Sequence, residues 1–261
     1  MATIKIGTSG YSYNEWIGPV YPKGTKADQF LNYYANLFQT VELNFSYYKM
    51  PTATQLNMMA EQAPSLLFSI KAHQEMTHNI DPTKWRIVTS EYRLAISALQ
   101  KRGALAAVLL QFPYSFHYEV DQRRYLHNLI NALNELPLVV EFRNGQWYNN
   151  RTLDALRERS VALASFDLPP VKNSPPIIDV VTSSIAYIRL HGRNSSSWRG
   201  SDVANRYDYL YSEKELLSLA KRIESLALSA QKLFIYFNNH RRAQAVENAT
   251  TLKQLLFSKE K

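Results

Sequence analysis

The chain has 261 residues, 46% hydrophobic and 20% charged, which excludes a disordered segment and fits one large domain or two ordinary ones. It has no cysteine, which excludes disulfides, a thiol nucleophile and every thiolate metal site. Lys and Arg outnumber Asp and Glu by 30 to 22, a net charge of +8 that favours anionic partners electrostatically.

The opening segment MATIKIGTSG has neither the basic start nor the apolar stretch of a signal peptide. No run approaches the ~20 apolar residues of a membrane span. The expectation is a soluble, cytoplasmic protein with no membrane partner.

Short apolar runs alternate with amphipathic stretches along the chain. Strands are predicted at Thr3–Thr8, Thr40–Phe45, Leu66–Ala72, Leu105–Phe112, Leu138–Phe142, Val161–Phe166, Ile185–Leu190 and Leu233–Phe237. Several are apolar nearly throughout, as in strands of a parallel sheet covered on both faces. Between them, Leu31, Tyr34 and Phe38 share a helical face. Thr52 with Gln55, and Ser212 with Glu215, have capping-box spacing at predicted helix starts. Leu216, Ala220, Ile223 and Ala227 form another face, and Ala243–Phe257 ends the pattern. Between Asp167 and Ile185, the prolines Pro169, Pro170, Pro175 and Pro176 obstruct a helix. Eight strands with intervening helices in about 250 residues predict a single (β/α)8 TIM-type barrel over 1–261, with a degenerate sixth β/α unit. A doubly wound open sheet is the alternative.

Polar residues cluster near the ends of the apolar runs. Glu42 and Asn44 are two apart, and so are Ser69, Lys71 and His73. The same spacing separates Glu141 from Arg143, Arg189 from His191, and Tyr236 from Asn238, and Gln111 closes the fourth run. Side chains alternate faces along a strand, so each set points to one side. In a barrel they converge at the carboxyl-end mouth, where barrel enzymes place their sites. The bland alternative is a polar plug in which these charges pair with one another.

The same segments carry a family resemblance. GTSGYSYNEW at 7–16, VYPKG at 20–24 and VELNFSYYKMP at 41–51 open an ordered set. It continues through SIKAH, LLQFPYSF, VVEFRNGQWY, YIRLHGR and YFNN. The set resembles the YecE-like family, domain of unknown function seventy-two. The resemblance implies a TIM-type barrel and no particular reaction. It maps shared positions onto Glu42, Asn44, Lys71, His78, Glu141, Arg143, Trp147, Arg189, His191, Gly192, Asn238 and Asn239. The chain departs at Tyr11, where the family often has Trp, and at Asn144-Gly145, where it often has His-Ser.

Three chemistries compete for these residues. A metal site would draw on His73, His78, His191, Glu42, Glu141 and Asp167, but no tight signature joins them and the adjacent cations oppose a metal. Neither a metal nor a cofactor is expected. A glycoside hydrolase would pair Glu42 with Glu141. The favoured reading is a site that binds, and as a hydrolase, lyase or isomerase transforms, a phosphate-bearing ligand such as a nucleotide or nucleic acid component. Arg143, Arg189 and Arg193 would hold the anion; Glu42 and Glu141 would orient it or act as base. His191 and His78 are acid/base candidates, Asn44 and Asn238 would fix hydroxyl or carbonyl groups, and Asn239 precedes a helix whose N-terminal amides favour anions. Lys71 stays open between phosphate clamp, Schiff-base nucleophile and partner of Glu42. Arg199, Arg206, Arg241 and Arg242, with Trp198, Tyr207, Tyr209 and Tyr211, extend the basic, aromatic loops toward a nucleic acid. The remaining alternative is a non-catalytic nucleic-acid- or protein-binding barrel.

Overall fold

Alternating apolar runs give strands buried on both faces, and such strands need helices around them. A computed structural model describes residues 2–169, 174–195 and 203–257. The prediction at Pro170 and those at Trp198 and Arg199 lie outside the described residues. Eight parallel strands form: β1 (Thr3–Thr8), β2 (Thr40–Leu43), β3 (Leu67–Lys71), β4 (Leu105–Phe112), β5 (Leu138–Phe142), β6 (Ala162–Asp167), β7 (Ile185–Leu190) and β8 (Lys232–Phe237). Their order is β1-β8-β7-β6-β5-β4-β3-β2, a nearly closed TIM-type barrel. β2 stops two residues short of the predicted end, because Asn44 turns helical (φ −101°, ψ −13°) and starts the one-turn helix Phe45–Tyr48.

Closure happens at the β1–β2 seam. The two strands share one parallel bridge, Ser9 to Glu42, with the Gly10 amide donating to the Glu42 carbonyl at 2.8 Å. Lower down, the Tyr34 hydroxyl spans the gap. It accepts from the Thr8 amide at 2.8 Å and donates to the Thr40 carbonyl at 3.0 Å. Gly7 makes this approach possible, since a Cβ there would lie 2.0 Å from the Thr40 carbonyl oxygen.

Among the described residues, seven helices of eight or more residues pack outside. They are α1 (Phe30–Leu37), α2 (Ala53–Gln62), α3 (Trp85–Lys101), α4 (Val120–Ala132), α5 (Asn150–Glu158), α6 (Glu213–Ala227) and α7 (Gln244–Phe257). Thr52 caps α2 through the Gln55 amide, and Ser212 with Glu215 closes a full capping box on α6. Each strand except β6 is followed by one of these helices. Among the described residues after β6, extended chain takes the helix's place. Thr182 accepts from the Leu163 amide and donates to the Val161 carbonyl, and Arg222 of α6 grips Asp179 with two bonds of 2.8 Å. The main core lies between barrel and helices, and a smaller one, including Leu109, Val139, Ala164 and Phe234, fills the barrel interior. Among the described residues, no helix is long and apolar enough to cross a membrane.

Candidate functional site

Strand alternation turns Glu42, Lys71, Gln111, Glu141 and Arg189 toward the barrel axis. The centre is a buried ion network. Arg189 grips Glu42 with two bonds of 2.8 and 2.9 Å and gives its third nitrogen to Glu141 at 2.8 Å. Glu42 also accepts from Ser9 at 2.7 Å, Tyr187 at 2.8 Å and Asn44 at 3.3 Å. Glu141 also forms an ion pair with the Arg143 Nε at 2.7 Å. Both carboxylates are fully buried. Burial alone would raise their pKa values, but the guanidinium groups override it: Arg189 lowers that of Glu42, and Arg143 with Arg189 lowers that of Glu141. Both therefore stay ionised at neutral pH.

Above this floor the groups are less fully matched. Lys71, at the end of β3, donates to Gln111 at 2.8 Å and lies 4.0 Å over the Tyr47 ring. Among the described residues no carboxylate lies within 4.0 Å of its Nζ. Burial first, then the Arg189 charge, pushes its pKa down from 10.5 to about 7. Arg143 keeps 21% of its side chain exposed and reaches the His191 Nε2 at 3.3 Å. The Asn238 amide meets the other ring nitrogen at 2.9 Å. Burial, Arg189 and Arg143 hold His191 well below the usual imidazole range, so its ring is neutral at pH 7. His78 sits edge-on to Tyr47, its pKa lowered to about 4 by burial and by Lys71 and Arg143. It contacts the Thr77 hydroxyl at 2.9 Å.

The mouth thus gathers Glu42, Asn44, Lys71, His78, Glu141, Arg143, Arg189, His191 and Asn238. Three residues of the predicted set lie elsewhere. Arg193 follows Gly192, whose φ of 86° reverses the chain, and its guanidinium is taken by Asp167 and Glu215 at 2.8 to 3.0 Å. Trp147 stacks on Phe142 and donates to the Phe116 carbonyl within the outer core. Asn239 ties the Tyr209 carbonyl to Asn248 of α7. Arg241 faces Glu15, and Arg242 faces Asp208 with 73% of its side chain exposed. Asn144 caps a short turn at Gln146, a structural use of the position where the family often has His and no catalytic role was expected. Among the described residues no three of His, Asp and Glu converge as a metal set.

Three contributors escaped the sequence reading: Ser9, Tyr187 and Tyr47. Tyr187 was legible, because it precedes Arg189 by two on β7 and shares its face.

Comparison with known proteins places this geometry. Residues 5–261 match the family described as "Protein of unknown function DUF72". The chain belongs to the DUF72 family. A crystal structure of a DUF72 protein from Thermotoga maritima MSB8 superposes with a TM-score of 0.86 at 33% identity, covering 97% of this chain and 99% of that one. A DUF72 protein from Enterococcus faecalis V583 gives 0.87 at 22% identity, over 97% and 95% of the two chains. The UPF0759 protein YunF of Bacillus subtilis (strain 168) is 25% identical over 97% of this chain and 94% of its own. A xylose isomerase-like TIM barrel fused to a 4-hydroxyphenylpyruvate dioxygenase shares the fold alone, at 12% identity and a TM-score of 0.54 over 44% of its length. The DUF72 resemblance and the TIM barrel expected from sequence both hold.

Proposed function

We propose that the barrel mouth binds a small phosphate-bearing anion through Lys71 and Arg143. The observation that carries this is the charge balance of the cluster. Glu42 and Glu141 are consumed by Arg189 and Arg143, while among the described residues Lys71 donates to a neutral amide, lies over a ring face and has no carboxylate within 4.0 Å. Burying a cation without a carboxylate is costly, and a bound anion relieves that cost. Arg143 offers a second, partly exposed cation next to neutral His191.

The roles within the site shift accordingly. Glu42, Arg189 and Glu141 form a floor that holds Arg143 and orients the rim. Their lowered carboxyl pKa values argue against glycoside hydrolysis, which needs one carboxylic acid kept protonated near neutral pH. The self-paired floor is also what a non-catalytic binding barrel would have. Titration calorimetry with inorganic phosphate, a nucleoside monophosphate and a single-stranded oligonucleotide tests the reading and ranks its ligands. Lys71→Met and Arg143→Met should each weaken binding about tenfold, the worth of one charge-assisted contact. No heat with any probe from the wild-type protein at low salt would end it.

A further inference from the structure

A lysine is a nucleophile only as the free amine, and most lysines at neutral pH are ammonium. Three circumstances favour the amine at Lys71. The carboxylates that would fix a proton on Nζ, Glu42 on β2 and Glu141 on β5, are bound by Arg189 and Arg143, and those two guanidinium charges face the same space. The group Nζ does touch, Gln111 on β4, is neutral. The face of Tyr47 covers one side at 4.0 Å, with neutral His78 against the ring edge. The lysine stem is rooted in a strand, so the amine is held in place as a positioned nucleophile requires.

We infer that Lys71 captures the carbonyl carbon of a small anionic aldehyde or ketone as an imine. This rests on the anion-binding reading above and names its substrate class: a carbonyl compound that also carries a phosphate or carboxylate. The Nζ lone pair adds to the carbonyl carbon while the C=O pair moves to oxygen. A proton passes from nitrogen to that oxygen, giving a carbinolamine. The second nitrogen proton passes to the hydroxyl, the C–O bond breaks as water leaves, and the nitrogen lone pair forms the C=N bond. Amine and carbonyl are converted to imine and water, with no change of oxidation state and no further reactant. With a pKa of about 7, Lys71 is ammonium in about half the molecules at pH 7 and adds its charge to the anion site, and in the other half it is the amine that attacks while Arg143 alone holds the anionic end. His78 is neutral at pH 7, so its unprotonated ring nitrogen can relay that second proton from nitrogen to the departing hydroxyl.

Reductive trapping on the full chain tests this without a variant. The probes are glyoxylate, dihydroxyacetone phosphate and, as neutral control, propionaldehyde, each with cyanoborohydride, and the modified lysines are read by peptide mass spectrometry. At pH 7 the anionic probes should modify Lys71 at least about tenfold faster than exposed Lys26 and Lys49, because a pKa of about 7 leaves much of Lys71 as free amine. Its rate should be half-maximal near pH 7 and flat above. The faster of the two anionic probes tells phosphate from carboxylate. Labelling of Lys71 no faster than Lys26, with phosphate still bound by calorimetry, overturns the imine and leaves the anion site. Fast labelling by propionaldehyde as well, with no phosphate binding, keeps the nucleophile and overturns the anion site.

Discussion

Glu42 keeps its charge inside the barrel because Arg189, Ser9, Tyr187 and Asn44 all donate to it. Glu42→Gln removes that charge and leaves Arg189 buried with half its partners. Breaking one side of a buried pair costs about 3–5 kcal/mol, so the urea midpoint should fall by that equivalent. A change of no more than a few tenths would deny the floor its structural role. Lys71 makes the opposite prediction. Below pH 10.5 the unfolded chain holds its proton, while the folded chain releases it through a pKa of about 7. Folding therefore works against Lys71, by a constant amount below about pH 7 that shrinks as pH rises to 10.5. Lys71→Met should stabilise the protein at pH 7 by about 1–4 kcal/mol, as apolar replacement of buried charge often does. Paired urea curves at pH 7 and 10 should show the gain diminishing, and an equal gain at both would contradict the lowered pKa. The two-residue spacing at strand ends made most of this cluster legible in the sequence. It failed for Arg193, which follows Gly192 at a φ of 86° and pairs with Asp167 and Glu215 instead. Parity does explain Asn239: it lies one past Asn238 and so faces α7.

At the scale of elements, the strands were readable and the seam was not. Apolar runs marked four strands to the residue: β1, β4, β5 and β7. Nothing in a single sequence says that β1 and β2 meet through so few bonds. Tyr34 reads there as one more apolar position on α1, yet its hydroxyl stands in for a rung of the ladder. Tyr34→Phe keeps the ring and removes the hydroxyl, leaving the Thr8 amide and Thr40 carbonyl buried and unpaired. The expected loss is about 1–3 kcal/mol. Hydrogen exchange should show the Thr8 amide opening faster while amides in the β4–β5 ladder change only with global stability. Uniform acceleration, or none at Thr8, would mean that the seam is held by other contacts. The sixth unit was legible in outline through its prolines. The pairing of Arg222 with Asp179 was not, because it joins positions 43 apart in sequence.

Across the whole molecule, the titrating groups set where stability peaks. The lowered carboxyls of Glu42 and Glu141 contribute stability that is present above about pH 4.5 and lost as pH falls below it. His78 and His191 are lowered from 6.5, so the unfolded chain takes up their protons first and stability also falls as pH drops through 6.5. Lys71 adds a rising contribution from about pH 7 to 10.5. The opposing limit comes from burial-raised tyrosines such as Tyr34, Tyr92, Tyr187 and Tyr236: above pH 10 the unfolded chain ionises its phenols and the folded one does not. The +8 charge at pH 7 falls to zero near the pI of 9.5, so self-repulsion weakens over the same alkaline range. These signs agree in placing the maximum at about pH 8–10, above the range of about pH 5–8 usual for proteins. Urea midpoints measured at constant ionic strength from pH 5 to 11 should rise toward that maximum and turn down as the phenols ionise. The rise above pH 7 should be smaller in Lys71→Met, since that variant lacks the amine that drives part of it. A wild-type maximum near pH 6 would mean that neither Lys71 nor the histidines release their protons on folding.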